Sequence, residues 1–240
     1  RILCIQDEVA EPAIEMLKGG MAELSMGNPA SLETDVGPVI DVKAQEKIES
    51  HIRELEGMGR RVHRLQHRNG NDLTGTYVAP TIIAIESIQD ATNEIFGPVL
   101  HVLRYARTDL DQLLLDINAT GYALTFGVHS RIDEAVQKMT QTVHAGNVYV
   151  NRNMVGAVVG VQAFGGDGLS GTGPKAGGPL YLLRLLSASP DDAALRSVQR
   201  VGGSTLPPTT KALEALYNWA ISNHRTQLAQ MCARFSACNP

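Results

Sequence analysis

The chain has 240 residues, a net charge of −4, 43 % hydrophobic residues and 19 % charged ones. That composition builds a packed core and excludes wholesale disorder, and it leaves no basic footprint for nucleic acid. The longest apolar runs, such as Val155 to Val161, contain glycine and fall short of a membrane span.

The cysteines Cys4, Cys232 and Cys238 show no metal-ligand spacing, and their odd number speaks against a disulfide framework. A reducing cytoplasm is therefore the expected setting. The first residues, Arg1 to Gln6, alternate as a strand and show no signal-peptide pattern. A start on Arg directly in regular structure reads as a piece cut from a longer protein.

After that strand, Asp7 opens a helix running to Gly19 or Gly20, with Val9, Ala13, Ile14, Met16 and Leu17 at helical spacing. Residues 27–40 are rich in turn signals. A second helix is predicted over Val42–Met58, with Ala44, Ile48, His51, Ile52 and Leu55 along one side. Strands are predicted over Arg61–Leu65, over Tyr77–Ile85 with an interruption at Pro80, and over Pro98–Tyr105.

Downstream come a helix over Asp109–Ala119, a strand over Leu124–His129, a helix over Asp133–Thr142 and a strand over Gly146–Asn151. Strands alternating with helices of this length predict an α/β fold with a largely parallel sheet flanked by helices. From Gly165 to Gly178 no period survives; Tyr181–Leu186 is a last apolar run and Ser187–Asp192 a linker. Pro207-Pro208-Thr209-Thr210 then caps one amphipathic helix over Lys211–Cys232, striped by Leu213, Leu216, Tyr217, Ala220 and Ile221.

The segment Asn93-Glu94-Ile95-Phe96-Gly97-Pro98 sets a carboxylate and an aromatic ring together at a strand edge. A carboxylate can accept two hydrogen bonds from a ribose diol, and a ring can cover a flat heterocycle. The plainer alternative is a surface glutamate beside a core phenylalanine. The seven histidines are scattered singly, so satisfied core or surface histidines are expected. Arg60, Arg61 and Arg64 read as a solvated edge. Gly166-Asp167-Gly168-Leu169-Ser170-Gly171 formally matches a dinucleotide fingerprint. The glycine- and proline-rich run from Thr172 to Pro179 cannot open the helix that fingerprint needs, so close backbone packing is the better reading.

Glu94-x-Phe96-Gly97-Pro98 resembles the most recognisable motif in the downstream half of aldehyde dehydrogenases. Further segments similar to that family occur in the right order over residues 1–186. They are Gly27-Asn28-Pro29, Asp35-Val36-Gly37-Pro38, Asn118-Ala119-Thr120-Gly121-Tyr122, Gly146-Asn147 with Asn151, Phe164-Gly165-Gly166 and Ser170-Gly171. The resemblance implies that Glu94 binds the nicotinamide ribose of NAD and that Phe96 lies near the nicotinamide.

The stretch Val155 to Gly166 resembles the substrate loop of Δ1-pyrroline-5-carboxylate dehydrogenases, which oxidise glutamate γ-semialdehyde to glutamate. By that likeness Gly156 and Ala157 hold the substrate's α-carboxylate through their amides, and Phe164 packs beside its carbon chain. Glycine does let a ligand approach the main chain, and successive N–H groups form an anion nest. Ala163 stands where that family usually has Pro, and a plain glycine-rich connection with a buried Phe164 remains the alternative.

In the family the nucleophilic cysteine lies four residues before an arginine that Arg1 matches. The resemblance therefore places the nucleophile and the general base upstream of Arg1 and no catalytic residue within this chain. Cys4, mid-strand, reads as a buried inert thiol. The segment Val201 to Pro207 and the helix after it resemble the bifunctional proline-utilization flavoenzymes, which carry FAD in an upstream proline dehydrogenase domain. The implied organisation is a catalytic half-domain over residues 1–186 and a linker with a helical extension over 187–240. The implied partners are the small-molecule substrate, the upstream remainder of the polypeptide and copies of the same chain in a homo-oligomer. A non-catalytic domain of this family, kept for assembly or as a lid, is the rival reading. A nucleotide-binding module acting alone is a third.

Overall fold

The computed structural model describes residues 1–66, 73–91, 93–171, 173–178, 180–186 and 211–237. Contacts divide the chain into two units. The first comprises Arg1–Gly156 and Gly165–Gly173, and the second Ala157–Phe164 and Pro174–Pro240.

The first unit is built on a four-stranded sheet of β1 (Ile2–Gln6), β2 (Val62–Arg64), β3 (Thr81–Ile85) and β4 (Val99–Tyr105), in the order β1-β4-β3-β2. β1 and β3 both run parallel to the central β4, and the short β2 pairs antiparallel at the edge. Helix α1 (Asp7–Ala22) and helix α2 (Val42–Gly57) cover opposite faces. The alternation of the strands decides which residue faces which helix. Ile83, Ile85, Val99 and Leu103 pack with Ile48, Ile52 and Leu55 of α2, whereas Ile82 and Val102 pack with Ile14, Leu17 and Met21 of α1.

Helix α2 begins where Asp41 caps it, its carboxylate accepting the Ala44 N–H at 2.7 Å. The expected stripe on this helix is the one that packs. The stripe expected on α1 needs correction: Val9 and Met16 are exposed, while Ala10 and Met21 are buried. The helix continues past Gly19 and Gly20 to Ala22, and at about 100° per residue Ala10, Ile14, Leu17 and Met21 form the inward line. The strand expected over Tyr77–Ile85 is confined to Thr81–Ile85, since Pro80 lacks the N–H a ladder would use.

Helix α3 (Leu110–Ala119), strands β5 (Tyr122–Ala123) and β6 (Thr125–Val128), helix α4 (Asp133–Thr142) and strand β7 (Asn147–Val150) come next along the chain. β6 and β7 form a parallel pair. β5 pairs antiparallel with β8 (Asp167–Gly168), a two-residue strand inside the glycine-rich stretch where no period is visible in the sequence. Such a strand is too short for an alternation to register.

The second unit contains an antiparallel bridge between Phe164 and Ala176, a 3-10 turn over Leu182–Leu185, and helices α5 (Lys211–Ser222) and α6 (Thr226–Ala237) packed on each other. The single helix expected over Lys211–Cys232 is thus two. The break falls at Asn223–Arg225, where His224 takes φ 54°, a left-handed conformation that stops a helix. Ala220, Ala229 and Cys232 are buried in this pair, whereas Leu216, Tyr217 and Ile221 of the expected stripe are exposed. The segments around Ser187–Asp192 and Val201–Thr210, and Cys238, lie outside the described residues.

Candidate functional site

The Glu94–Pro98 loop leads into β4 beside the start of β1, where the two strands run parallel. Ile95 is buried at 4 % exposure, while Glu94 and Phe96 on either side of it are exposed. Ile95 thus joins the core while the residues on either side of it lie in the open. At 78 % exposure Phe96 is no core residue, which removes the plainer reading of that ring.

A Cβ on Gly97 would meet Cδ1 of the buried Ile48 at 2.5 Å, so a side chain there requires Ile48 to shift. The loop is held from two further directions. Arg1 donates from its guanidinium to the Gly97 carbonyl at 2.9 Å, with its charge 6.0 Å from the centre of the Phe96 ring. Lys47 of α2 reaches the Glu94 carbonyl at 3.4 Å.

Behind this loop lies a contact between two histidines 50 positions apart, which single-residue reading of the sequence does not reveal. His51 Nε2 and His101 Nε2 are 2.7 Å apart, and His101 Nδ1 lies 3.1 Å from the Arg1 carbonyl. His101 is 1 % exposed, and burial pushes its imidazole down to about 4; burial also lowers His51. The only signal in the sequence is that His101 shares the alternation of Val99 and Leu103 and so faces the helix that carries His51.

The second candidate segment is the loop of Val155 to Gly166. Gly156 is exposed with nothing within 4 Å of where a Cβ would sit, and Ala157 is half-buried. Within the described residues no hydrogen bond engages either amide. Beyond them the chain closes on itself: the Val158 N–H donates to Oε1 of Gln162 at 3.0 Å, and the Gln162 N–H to the Val158 carbonyl at 2.9 Å. Phe164 is half-buried, its backbone paired with Ala176.

The stretch matching a dinucleotide fingerprint forms β8 and a tight turn. A Cβ on Gly166 would meet the Ser170 carbonyl oxygen at 2.4 Å, and one on Gly171 the Gly166 carbonyl oxygen at 2.7 Å. The glycines there serve close backbone packing.

The asparagines of the recurring motifs are cross-braces. Asn118 donates to the Thr142 carbonyl at 2.8 Å and accepts from the His144 N–H at 2.9 Å. Asn147 accepts from the Gly165 N–H at 3.1 Å. Asn151, at φ 54°, both accepts from the Ser130 N–H and donates to the Ser130 carbonyl. Arg60 departs from the solvated edge expected of it: its side chain is 15 % exposed and pairs with Asp90 at 2.8 Å and with Glu86. Among the described residues no cluster of side chains could hold a metal ion, and no helix is long and apolar enough to cross a membrane.

A largely parallel sheet carrying this exposed carboxylate-and-ring loop defines a class: the chain belongs to the aldehyde dehydrogenase family, whose model matches residues 1–188. Within that family it is 51 % identical over 246 aligned positions to the bifunctional protein PutA of Klebsiella aerogenes, covering 98 % of this chain and 19 % of that protein. It is 39 % identical over 180 positions to the 1-pyrroline-5-carboxylate dehydrogenase of Bacillus thuringiensis, covering 74 % of this chain and 33 % of that one.

Among solved structures, a mutant of Bradyrhizobium japonicum proline utilization A superposes with a TM-score of 0.70 at 49 % identity, over 76 % of this chain and 18 % of that one. Proline utilization A from Bdellovibrio bacteriovorus, inactivated by N-propargylglycine, gives 0.68 at 34 % identity, over 75 % and 18 %. The chain thus spans about a fifth of the length of the curated bifunctional relatives it matches. The α/β fold expected from the sequence is the fold of these structures.

Proposed function

We propose that the chain is the C-terminal part of an NAD-dependent dehydrogenase that oxidises L-glutamate γ-semialdehyde, formed from Δ1-pyrroline-5-carboxylate, to L-glutamate in proline catabolism. The observation that carries the reading is the exposure of Glu94 and Phe96 on either side of the buried Ile95, in a chain half identical to bifunctional PutA.

The residues present suit the cofactor. Glu94 offers two carboxylate oxygens to a ribose diol, and Phe96 offers an exposed ring to a flat heterocycle. The nicotinamide, when bound, supplies the hydride acceptor. Gly156 and Ala157 offer the α-carboxylate amides that have no partner among the described residues, and Phe164 flanks the aliphatic chain. The thiolate that attacks the aldehyde and the base that activates water are assigned to sequence upstream of Arg1, so residues 1–240 bind and orient without supplying the reacting sulfur.

On this reading residues 1–186 are the downstream half of the catalytic domain and residues 187–240 a linker and helical extension. FAD belongs to a separate upstream proline dehydrogenase domain, and the intact enzyme is a cytoplasmic homo-oligomer.

In the full-length enzyme, Glu94→Ala raises the KM for NAD at least about tenfold while the melting temperature moves little, because an exposed carboxylate contributes little to folding. NAD kinetics equal to those of the parent would remove the cofactor role from this loop.

A further inference from the structure

The histidine pair behind the loop has no part in the chemistry proposed above, yet it is built at some cost. Two imidazoles face each other between α2 and the central strand, and His101 is sealed from water. Burying a polar pair is unfavourable unless its groups are all satisfied.

The partners settle the protonation pattern. The Arg1 carbonyl accepts from the His101 backbone N–H at 3.1 Å and also faces His101 Nδ1 at 3.1 Å. A carbonyl can only accept, so Nδ1 carries the hydrogen. Nε2 of neutral His101 is then an acceptor, and the hydrogen between the rings belongs to His51. The bonds run one way, from His51 Nε2–H to His101 and from His101 Nδ1–H to the Arg1 carbonyl.

Arg1 hands the connection on. While its carbonyl is held by His101, its guanidinium donates to the Gly97 carbonyl and lies over the Phe96 ring. Helix α2 meets the same loop a second time, since Ile48, one turn before His51, fills the space under Gly97. The loop is thus braced by an apolar contact and by a hydrogen-bonded chain that starts on the same helix.

We propose that His101 and His51 are positioning residues for the cofactor loop, holding Arg1 so that its guanidinium sets Gly97 and Phe96 in place for NAD. The inference rests on the assignment of Glu94 and Phe96 to the cofactor and adds to it residues that touch neither cofactor nor substrate.

The test uses the full-length enzyme and the two KM values separately. His101→Leu removes Nδ1–H, whereas His101→Asn places an amide N–H at nearly the same reach from the backbone. The leucine variant raises the KM for NAD about fivefold to tenfold, as expected for one lost buried hydrogen bond, with the KM for the aldehyde within about twofold. The asparagine variant restores the parental NAD value to within about twofold. Arg1→Met, which keeps the carbonyl but loses the guanidinium, reproduces the leucine phenotype and serves if His101→Leu does not fold.

Equal NAD kinetics in His101→Leu and the parent would overturn the proposal, as would equal losses in the leucine and asparagine variants. A loss shared by both KM values and the melting temperature would make the pair merely structural. Glu94→Ala separates the two readings. If that variant loses NAD affinity while His101→Leu and Arg1→Met do not, only the positioning role fails; if Glu94→Ala is unaffected, both fail together.

Discussion

Ile48 of α2 lies so close beneath Gly97 that a Cβ on the glycine would meet its Cδ1 at 2.5 Å. Ile48 is 2 % exposed, so the methyl group has little room to withdraw. The helix and the Glu94–Pro98 loop are therefore fitted to each other at a single methyl.

Gly97→Ala destabilises the full-length enzyme by about 1–3 kcal/mol, the usual cost of overpacking, and raises the KM for NAD. Ile48→Val removes the offending methyl and alone costs about 1 kcal/mol. The double variant recovers part of the loss, and a double-mutant cycle in urea shows coupling of about 1 kcal/mol. Strict additivity would mean that the close approach is not what keeps the glycine.

The histidine pair gives stability a pH dependence. In the unfolded chain each imidazole takes a proton near about 6.5, whereas burial holds folded His101 down to about 4 and lowers His51 as well. Around His51, Glu54 favours the charged form and Lys47 opposes it; Asp90 favours it at His101. Well above about pH 6.5 both states are neutral there, so the pair adds no slope. As pH falls from there towards about 4 the unfolded state binds protons that the folded state refuses, and stability is lost. Denaturation midpoints measured between about pH 7.5 and pH 5 therefore fall more steeply in the parent than in His101→Asn. Parallel pH profiles would show that the pair is not held neutral.

Asn118 ties the end of α3 to the end of α4 and the turn after it through two hydrogen bonds, to the Thr142 carbonyl and from the His144 N–H. Asn118→Ala costs about 1 kcal/mol, because it removes two hydrogen bonds whose backbone partners are open enough for water to replace it. Hydrogen exchange at the His144 amide, and in β7 after it, accelerates while β3 and β4 stay protected.

Cys4 faces the α2 side of the sheet, and burial raises its thiol to about 11. At neutral pH about one molecule in ten thousand carries the thiolate, so iodoacetamide leaves Cys4 unmodified in the native enzyme. Cys4→Ala retains aldehyde oxidation. Loss of activity with unchanged stability would instead make Cys4 the nucleophile and remove the need for one upstream.

What the sequence determined by itself was local or ordered along the chain. Helices α2 and α4 and strand β4 follow from periodicity and turn residues, which act within a few positions of where they stand. Motif order from Gly27 to Gly171 sufficed to assign the family, because each motif is contiguous. The tertiary structure decided whatever joins distant positions or depends on one backbone angle. Neither His51 nor His101 carries a mark of the other 50 residues away, and their pairing exists because strand alternation turns His101 towards α2. Likewise Arg60 became a half-buried partner of Asp90, and the last helix was divided at His224, where one left-handed residue outweighs the apolar stripe on either side. For Glu94 and Phe96 the two sources meet. The residue types were legible in the sequence, but only the tertiary structure buries Ile95 between them and leaves both in the open.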